Sequence, residues 1–243
     1  MEKKASDRVS LSHRLHDELA RVIEATKPGD RLPTEPKLAR QLGVSRATLR
    51  EAMRTFETQG LLRRRQGVGT FVVRPQHVLD SGLEVLESIE TLAERSGLRV
   101  MPGELEIGHR FAREREARPL GLKPGSSVTQ VSRVILAEGH PVAYLLDILP
   151  MHVLSPEEIS NGFRGSVLDF LILRGNPQLI NSHCEIAATA ATSEIARALN
   201  IQRGDSLLRF ESRLFSIEGE VIDYSLGYFL PGYFRFHVIR QLT

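Results

Sequence analysis

Ser45, Arg46, Thr48 and Arg50 stand within six residues, and Arg63-Arg64-Arg65-Gln66 follows shortly, running into Gly67-Val68-Gly69. Hydroxyls and guanidinium groups at this density suit hydrogen bonding to the phosphate oxygens and base edges of a nucleic-acid duplex. The two glycines would let the backbone come close to that duplex, in the minor groove, where a side chain would obstruct. Charge points the same way. Residues 1–75 hold 16 Lys and Arg against 9 Asp and Glu, whereas residues 76–243 hold 16 against 21. A basic module gains affinity for phosphates by releasing condensed counterions, although a solvated basic surface has the same composition.

Three helices and a hairpin must position these groups. Ser10 precedes an apolar stripe of Leu11, Leu15, Leu19, Val22 and Ile23, which predicts a first helix capped by the serine and ended by Lys27-Pro28-Gly29. Thr34 is placed to cap a second helix with Leu38, Ala39 and Leu42 inward, stopped by Gly43. Ser45 caps a third, on which Leu49, Ala52, Met53 and Phe56 share a face and Gly60 supplies the stop. The basic groups of this third helix then lie on its sides and outer face, as in a helix-turn-helix. Leu61-Leu62 and Thr70-Phe71-Val72-Val73 flank the glycine turn as two short strands, a wing; an ordinary hairpin with a basic rim is the alternative.

The stretch LPTEPKLARQLGVSRATLREAMRTFETQGLLRRRQGVGTFV resembles the DNA-binding domain of GntR-family transcriptional regulators, over nearly all of residues 10–73. The resemblance implies DNA contacts from Ser45, Arg46, Thr48 and Arg50 on the recognition helix and from Gly67 and Gly69 on the wing. Thr34, Lys37, Arg65 and Gln66 complete the candidate interface. One departure bears on specificity. Where the family usually has an arginine this chain has Pro36, leaving Lys37, a point charge without a bidentate fork, as a substitute.

Beyond the wing, Ser81 opens a helical pattern through Leu83, Leu86, Ile89 and Leu92 that stops at Gly97. Leu105, Ile107, His109 and Phe111 then alternate as a half-buried strand does. An internal repeat follows at an offset of about 80 residues: PLGLKPGSSVTQVSRVILAEGHPVAYLLDILP from Pro119 aligns with ALNIQRGDSLLRFESRLFSIEGEVIDYSLGYFLP from Ala198. The alignment sets Arg133 beside Arg213. Two hairpin copies predict one antiparallel sheet with approximate two-fold symmetry, one face covered by helices at Ser166–Arg174 and Thr192–Leu199.

This half resembles the UTRA effector-binding domain of HutC-type GntR regulators, through VSRVILAEGHPVAYLLDILP, GSVLDFL and EGEVIDYSLGYF. The implied architecture is α+β: a winged helix-turn-helix over residues 1–75, a linker over 76–84, and an antiparallel-sheet domain of chorismate-lyase-like type over 85–243. The implied ligand residues are Arg133 and Ser166, with Asp223 where a late glutamate is usual; Asp223 and Tyr228 are also placed to line a pocket. Ile135 and Leu145 stand where the resembled domain has an arginine and a glutamate, so an anionic metabolite other than an amino-sugar phosphate is expected.

The expected function is a sequence-specific transcriptional regulator, in the repressor sense, whose operator affinity a small metabolite changes. Its expected partners are an inverted-repeat DNA operator, that effector and a second copy of the chain. A lyase-like enzyme fused to a DNA-binding domain is the alternative, but no nucleophile and base pair, phosphate loop or cofactor lysine stands out. No cofactor or metal is expected: His13 and His16 are three apart and His183 neighbours Cys184 and Glu185, without HExxH or paired CxxC spacing. A single cysteine forms no internal disulfide, no apolar run approaches the roughly 18 residues of a membrane span, and the first residues are charged, so the cytoplasm is expected.

Overall fold

The computed structural model describes residues 2–58, 60–65, 67–72, 79–97, 99–160, 163 and 165–240. The chain divides into two compact units, Met1–Gln76 with Pro231–Tyr233, and His77–Leu230 with Phe234–Thr243.

The first unit holds α1 (Glu2–Ala25), α2 (Glu35–Gln41) and α3 (Arg46–Thr58), then the hairpin β1 (Leu62–Arg65) and β2 (Gly69–Val72). Ser10 lies inside α1 and does not cap it, because Glu2, Lys3, Lys4 and Ala5 all propagate a helix and nothing ahead of Leu11 breaks one. Leu19, Ile23, Leu38, Leu49, Met53, Phe56, Leu62 and Val72 form a single core. Each such side chain contributes about 1.5–3 kcal/mol by leaving water, so the three helices and the hairpin are held as one body. The segment entering α2 runs beside the wing: Leu32 N donates to Thr70 O at 2.8 Å and Gly29 N to Val72 O at 2.8 Å.

The second unit is built on a six-stranded antiparallel sheet of β4 (Val100–Phe111), β5 (Ser127–Ala137), β6 (His140–Pro150), β7 (Leu179–Ala190), β8 (Ser206–Ser216) and β9 (Val221–Phe229). Their order is β4-β5-β6-β9-β8-β7, so the two hairpins of the repeat meet at β6 and β9 about an approximate two-fold axis. The repeat is longer than the aligned sequences. Each copy begins with an outer strand and a short helix, β4 and α5 (Glu114–Ala117) in the first, β7 and α8 (Ser193–Ala198) in the second.

Alternation splits the core between the two sheet faces. Val131 and Leu149 pack under α6 (Pro156–Ser160) and α7 (Val167–Arg174), whereas Val128 and Ile148 pack against Ala117 of α5. Helices therefore lie on both faces, not on one as the repeat suggested.

Two further expectations change. The helix expected from Ser81 is α4 (Ile89–Arg95), capped by Ser88, whose Oγ accepts from Thr91 N at 2.9 Å. Residues within the expected linker form β3 (Leu79–Gly82), which pairs in parallel with β10 (Phe234–His237). Leu79 and Ser81 are buried by that pairing partner, which local periodicity does not reveal. Among the described residues no helix is long and apolar enough to cross a membrane.

Candidate nucleic-acid interface and ligand cleft

In the first unit, Ser45 Oγ accepts from Thr48 N at 3.1 Å and lies 2.8 Å from Thr48 Oγ1, so the two hydroxyls fix the start of α3. Thr34 occupies the N-cap position of α2 without a side-chain cap bond. These two helix starts and the wing enclose a cleft of about 680 Å³ lined by Thr34, Pro36, Arg46, Arg50, Gly67 and Gly69, with Arg31, Glu35 and Arg64 among them. Four guanidinium groups face one carboxylate there. Glu35 holds two of them: Arg50 Nε donates to Glu35 Oε2 at 2.6 Å and Arg64 Nη2 donates to Glu35 Oε1. The Glu35 side chain is 15% exposed and so largely screened from water, and the pairs orient the guanidinium groups more firmly than a fully exposed pair would.

The wing register pairs Arg64 with Thr70 and Arg65 with Gly69. Gly67 and Gly69 have φ of 73° and 142°, conformations that disfavour any side chain, and a Cβ on Gly69 would also collide with the Arg31 guanidinium. The glycines thus let the wing turn while leaving Arg31 room beside it. Of the remaining candidates, Lys37, Ser45 and Thr48 are exposed but do not line the cleft. Gln66 and the Arg65 side chain lie outside the described residues. Sequence reasoning missed Arg31 and Glu35 as parts of the site and, within the triple arginine, selected Arg65 and not Arg64. Arg31 bridges to Phe71 and Glu35 pairs across 15 and 29 residues, separations at which no local pattern exists.

The second unit has its own cleft, of about 600 Å³, over one face of the sheet. Arg133 and Ser166 line it; Asp223 and Tyr228 do not. Register explains the split. Arg133 is opposite Leu145, and Leu145 is opposite Gly227, so Tyr228 points through the other face, where its ring sits 6.4 Å from that of Tyr144. Asp223 shares the face of Arg133 but is buried beneath it, accepting from Ile148 N at 3.1 Å. Burial and the neighbouring Asp147 carboxylate push the Asp223 carboxyl well above the usual range.

Arg133 does not stand free for an anionic ligand. Its side chain is 7% exposed, donates to Asp147 Oδ2, and lies 3.3 Å from Glu90 Oε1. Two carboxylates of the chain already answer its charge. Desolvation pushes the Glu90 carboxyl upward against the pull of Arg133. Ser166 accepts from Asp169 N at 3.1 Å as the cap of α7, and Asp169 in turn accepts from Ser88 Oγ at 2.6 Å, which ties α7 to α4 beside the cleft. Arg213 is not the repeat counterpart of Arg133. Arg133 faces Leu145 across the sheet, and the residue facing Ser225, the counterpart of Leu145, is Ser212. Arg213, the next residue along β8, points through the opposite face, beside His183 at 3.1 Å. Among the described residues no group of three or more His, Cys, Asp or Glu is gathered for a metal, and His16 stacks on Phe56 with ring centroids 4.6 Å apart.

A winged helix with a basic cleft, in one chain with a two-fold antiparallel sheet that holds a ligand-sized cavity, defines a DNA-binding regulator with an effector domain. Residues 11–72 match the bacterial regulatory proteins of the gntR family and residues 103–235 match the UTRA domain. The chain belongs to the GntR family, in the branch that carries a UTRA domain. It is 29% identical over 234 residues to the mannosyl-D-glycerate transport/metabolism system repressor MngR of Escherichia coli, covering 95% of this chain and 94% of that one. It is 28% identical over 220 residues to the transcriptional repressor NagR of Bacillus subtilis, covering 89% and 88%. It is also 28% identical over 192 residues to the histidine utilization repressor of Pseudomonas putida, covering 78% and 75%. The crystal structure of PhnF from Mycobacterium smegmatis superposes with a TM-score of 0.61 at 22% identity, over 94% of this chain and all of that one, a likeness of fold.

Proposed function

We propose that the protein is a repressor that takes an operator half-site into the cleft between the helix starts and the wing, working as a homodimer on an inverted repeat. The observation that carries this reading is the convergence of Arg31, Arg46, Arg50 and Arg64 with the wing glycines around one 680 Å³ cleft. Arg46 and the Glu35-held Arg50 read base edges, Arg31 and Arg64 neutralise phosphates, and Gly67 and Gly69 bring the wing backbone to the minor groove. One winged helix buries too little surface to be selective, so two-fold symmetry on two half-sites multiplies the readout. Acting on an operator, the protein works in the cytoplasm.

The second cleft binds the controlling metabolite without consuming it, which distinguishes the regulator from a lyase-like enzyme. A ligand changes operator affinity only through its different affinity for the two states, so operator must change ligand affinity by the same factor. The test is a thermal-shift screen of metabolites followed by titration of each hit with and without a selected operator. Reciprocal shifts support the reading; a hit that is chemically converted, or that is indifferent to operator, contradicts it.

A further inference from the structure

The sheet floor of the second cleft is ordered in rows. Asp147, Ser225, Ser212 and Cys184 face one another across β6, β9, β8 and β7, making a polar row on one face. Two residues along, Leu145, Gly227, Phe210 and Ile186 make a parallel apolar row, and Phe229 and Phe236 close the wall behind it. Gly227 makes room for its neighbours, since a Cβ there would press within 2.7 Å of the Phe229 ring and 3.3 Å of Leu145, so those two side chains close over it and form the apolar surface. The space suits a rigid body with one polar edge.

Charge decides what that edge carries. Among the described residues the cleft is lined by one cation, Arg133, and three carboxylates, Glu84, Glu87 and Asp147. Arg133 is bound to Asp147 and backed by Glu90, and Glu87 is answered by Arg95, 2.7 Å away. An incoming carboxylate or phosphate would have to displace Asp147 from Arg133 and leave a buried carboxylate unpaired, the costliest exchange the site offers. A hydroxyl or ammonium group needs no such exchange, because Asp147 and the two serines accept from it directly.

We propose that this cleft takes an amphipathic molecule with a flat apolar body against the Leu145, Phe210 and Ile186 side chains and a donor head, hydroxyl or ammonium and free of negative charge, along the Asp147–Ser225–Ser212 row. This rests on the reading of the second unit as a ligand-binding domain and names the class of its ligand. The volume of about 600 Å³ lies within the range of small-molecule sites, roughly 300–1,000 Å³.

The test is a head-group series on one ring system: 2-naphthylethanol, 2-naphthylethylammonium, 2-naphthylacetate and 2-naphthyl phosphate, titrated into the full chain by calorimetry. The alcohol and the ammonium are expected to bind at least about tenfold more tightly than either anion, a gap of roughly 1.4 kcal/mol. A smaller gap, an anion binding best, or no saturable binding by any of the four overturns the proposal. Ile186→Glu locates the site: Ile186 is 45% exposed on the outer strand, so the variant folds, and it is expected to weaken the alcohol by tenfold or more. Unchanged binding in Ile186→Glu, with melting behaviour unaltered, also overturns the assignment. The ranking needs no DNA, so it can fail while operator binding stands, and operator control can fail while the ranking stands.

Discussion

Arg50 and Arg64 share the two oxygens of Glu35, so this single carboxylate fixes how both guanidinium groups are turned. Neutralising it in Glu35→Gln removes the negative charge from the cleft and frees both guanidinium groups to rotate. Non-specific DNA binding is expected to strengthen with a steeper salt dependence, while the ratio of specific to non-specific affinity falls; competition against random DNA at two salt concentrations measures both. Arg46→Ala is expected to cost about 1–3 kcal/mol on the preferred half-site and to relax preference at one base position. Pro36→Arg is expected to tighten or retarget binding on a randomised half-site library, since position 36 is exposed, lines the cleft and would regain a forked donor. The identities of Arg46 and Arg50 were legible from local pattern and resemblance. Glu35 was not, because its meaning lies in two partners distant in the chain. Asp223 adds a pH signature. Its raised carboxyl favours the protonated native state, so its contribution to stability is lost as pH rises above the unfolded value of 3.8 toward the raised native one. Asp223→Asn is expected to flatten that loss in denaturation curves taken across this range.

Helix starts and strand registers carry most of what the residues can do. α3 begins with Ser45 and Thr48 locked together, so the first turn that presents Arg46 is rigid; Ser45→Ala is expected to cost about 0.5–2 kcal/mol of stability, read by thermal or urea melts. The apolar stripes of α1 to α3 were readable because their cores are local, with residues three and four apart falling on one face. The start of α4 was not, because Leu83 and Leu86 keep a helical spacing yet serve as cleft walls, and β3 meets its partner only at the far end of the chain. The repeat was readable as hairpins, but not the faces of its residues. The register of β8 with β9 is unbroken from Leu208 to Leu214 and sets Ser212, not Arg213, at the place of Arg133, so Arg213 matched Arg133 in alignment and not in space.

The whole molecule joins a basic reading unit to an acidic sensing unit, a division of labour already visible in the charges of residues 1–75 and 76–243. Operator recognition by paired half-sites is the central claim of this account, and protection mapping of a selected operator, with wild type and with an Arg46→Ala/Arg50→Ala double variant, tests it most directly. Two protected half-sites related by two-fold symmetry are expected, their centres about 34–36 Å apart along the duplex or a multiple of that, with loss of both together in the double variant. A single asymmetric footprint, or a symmetric one that survives the double substitution, would contradict it.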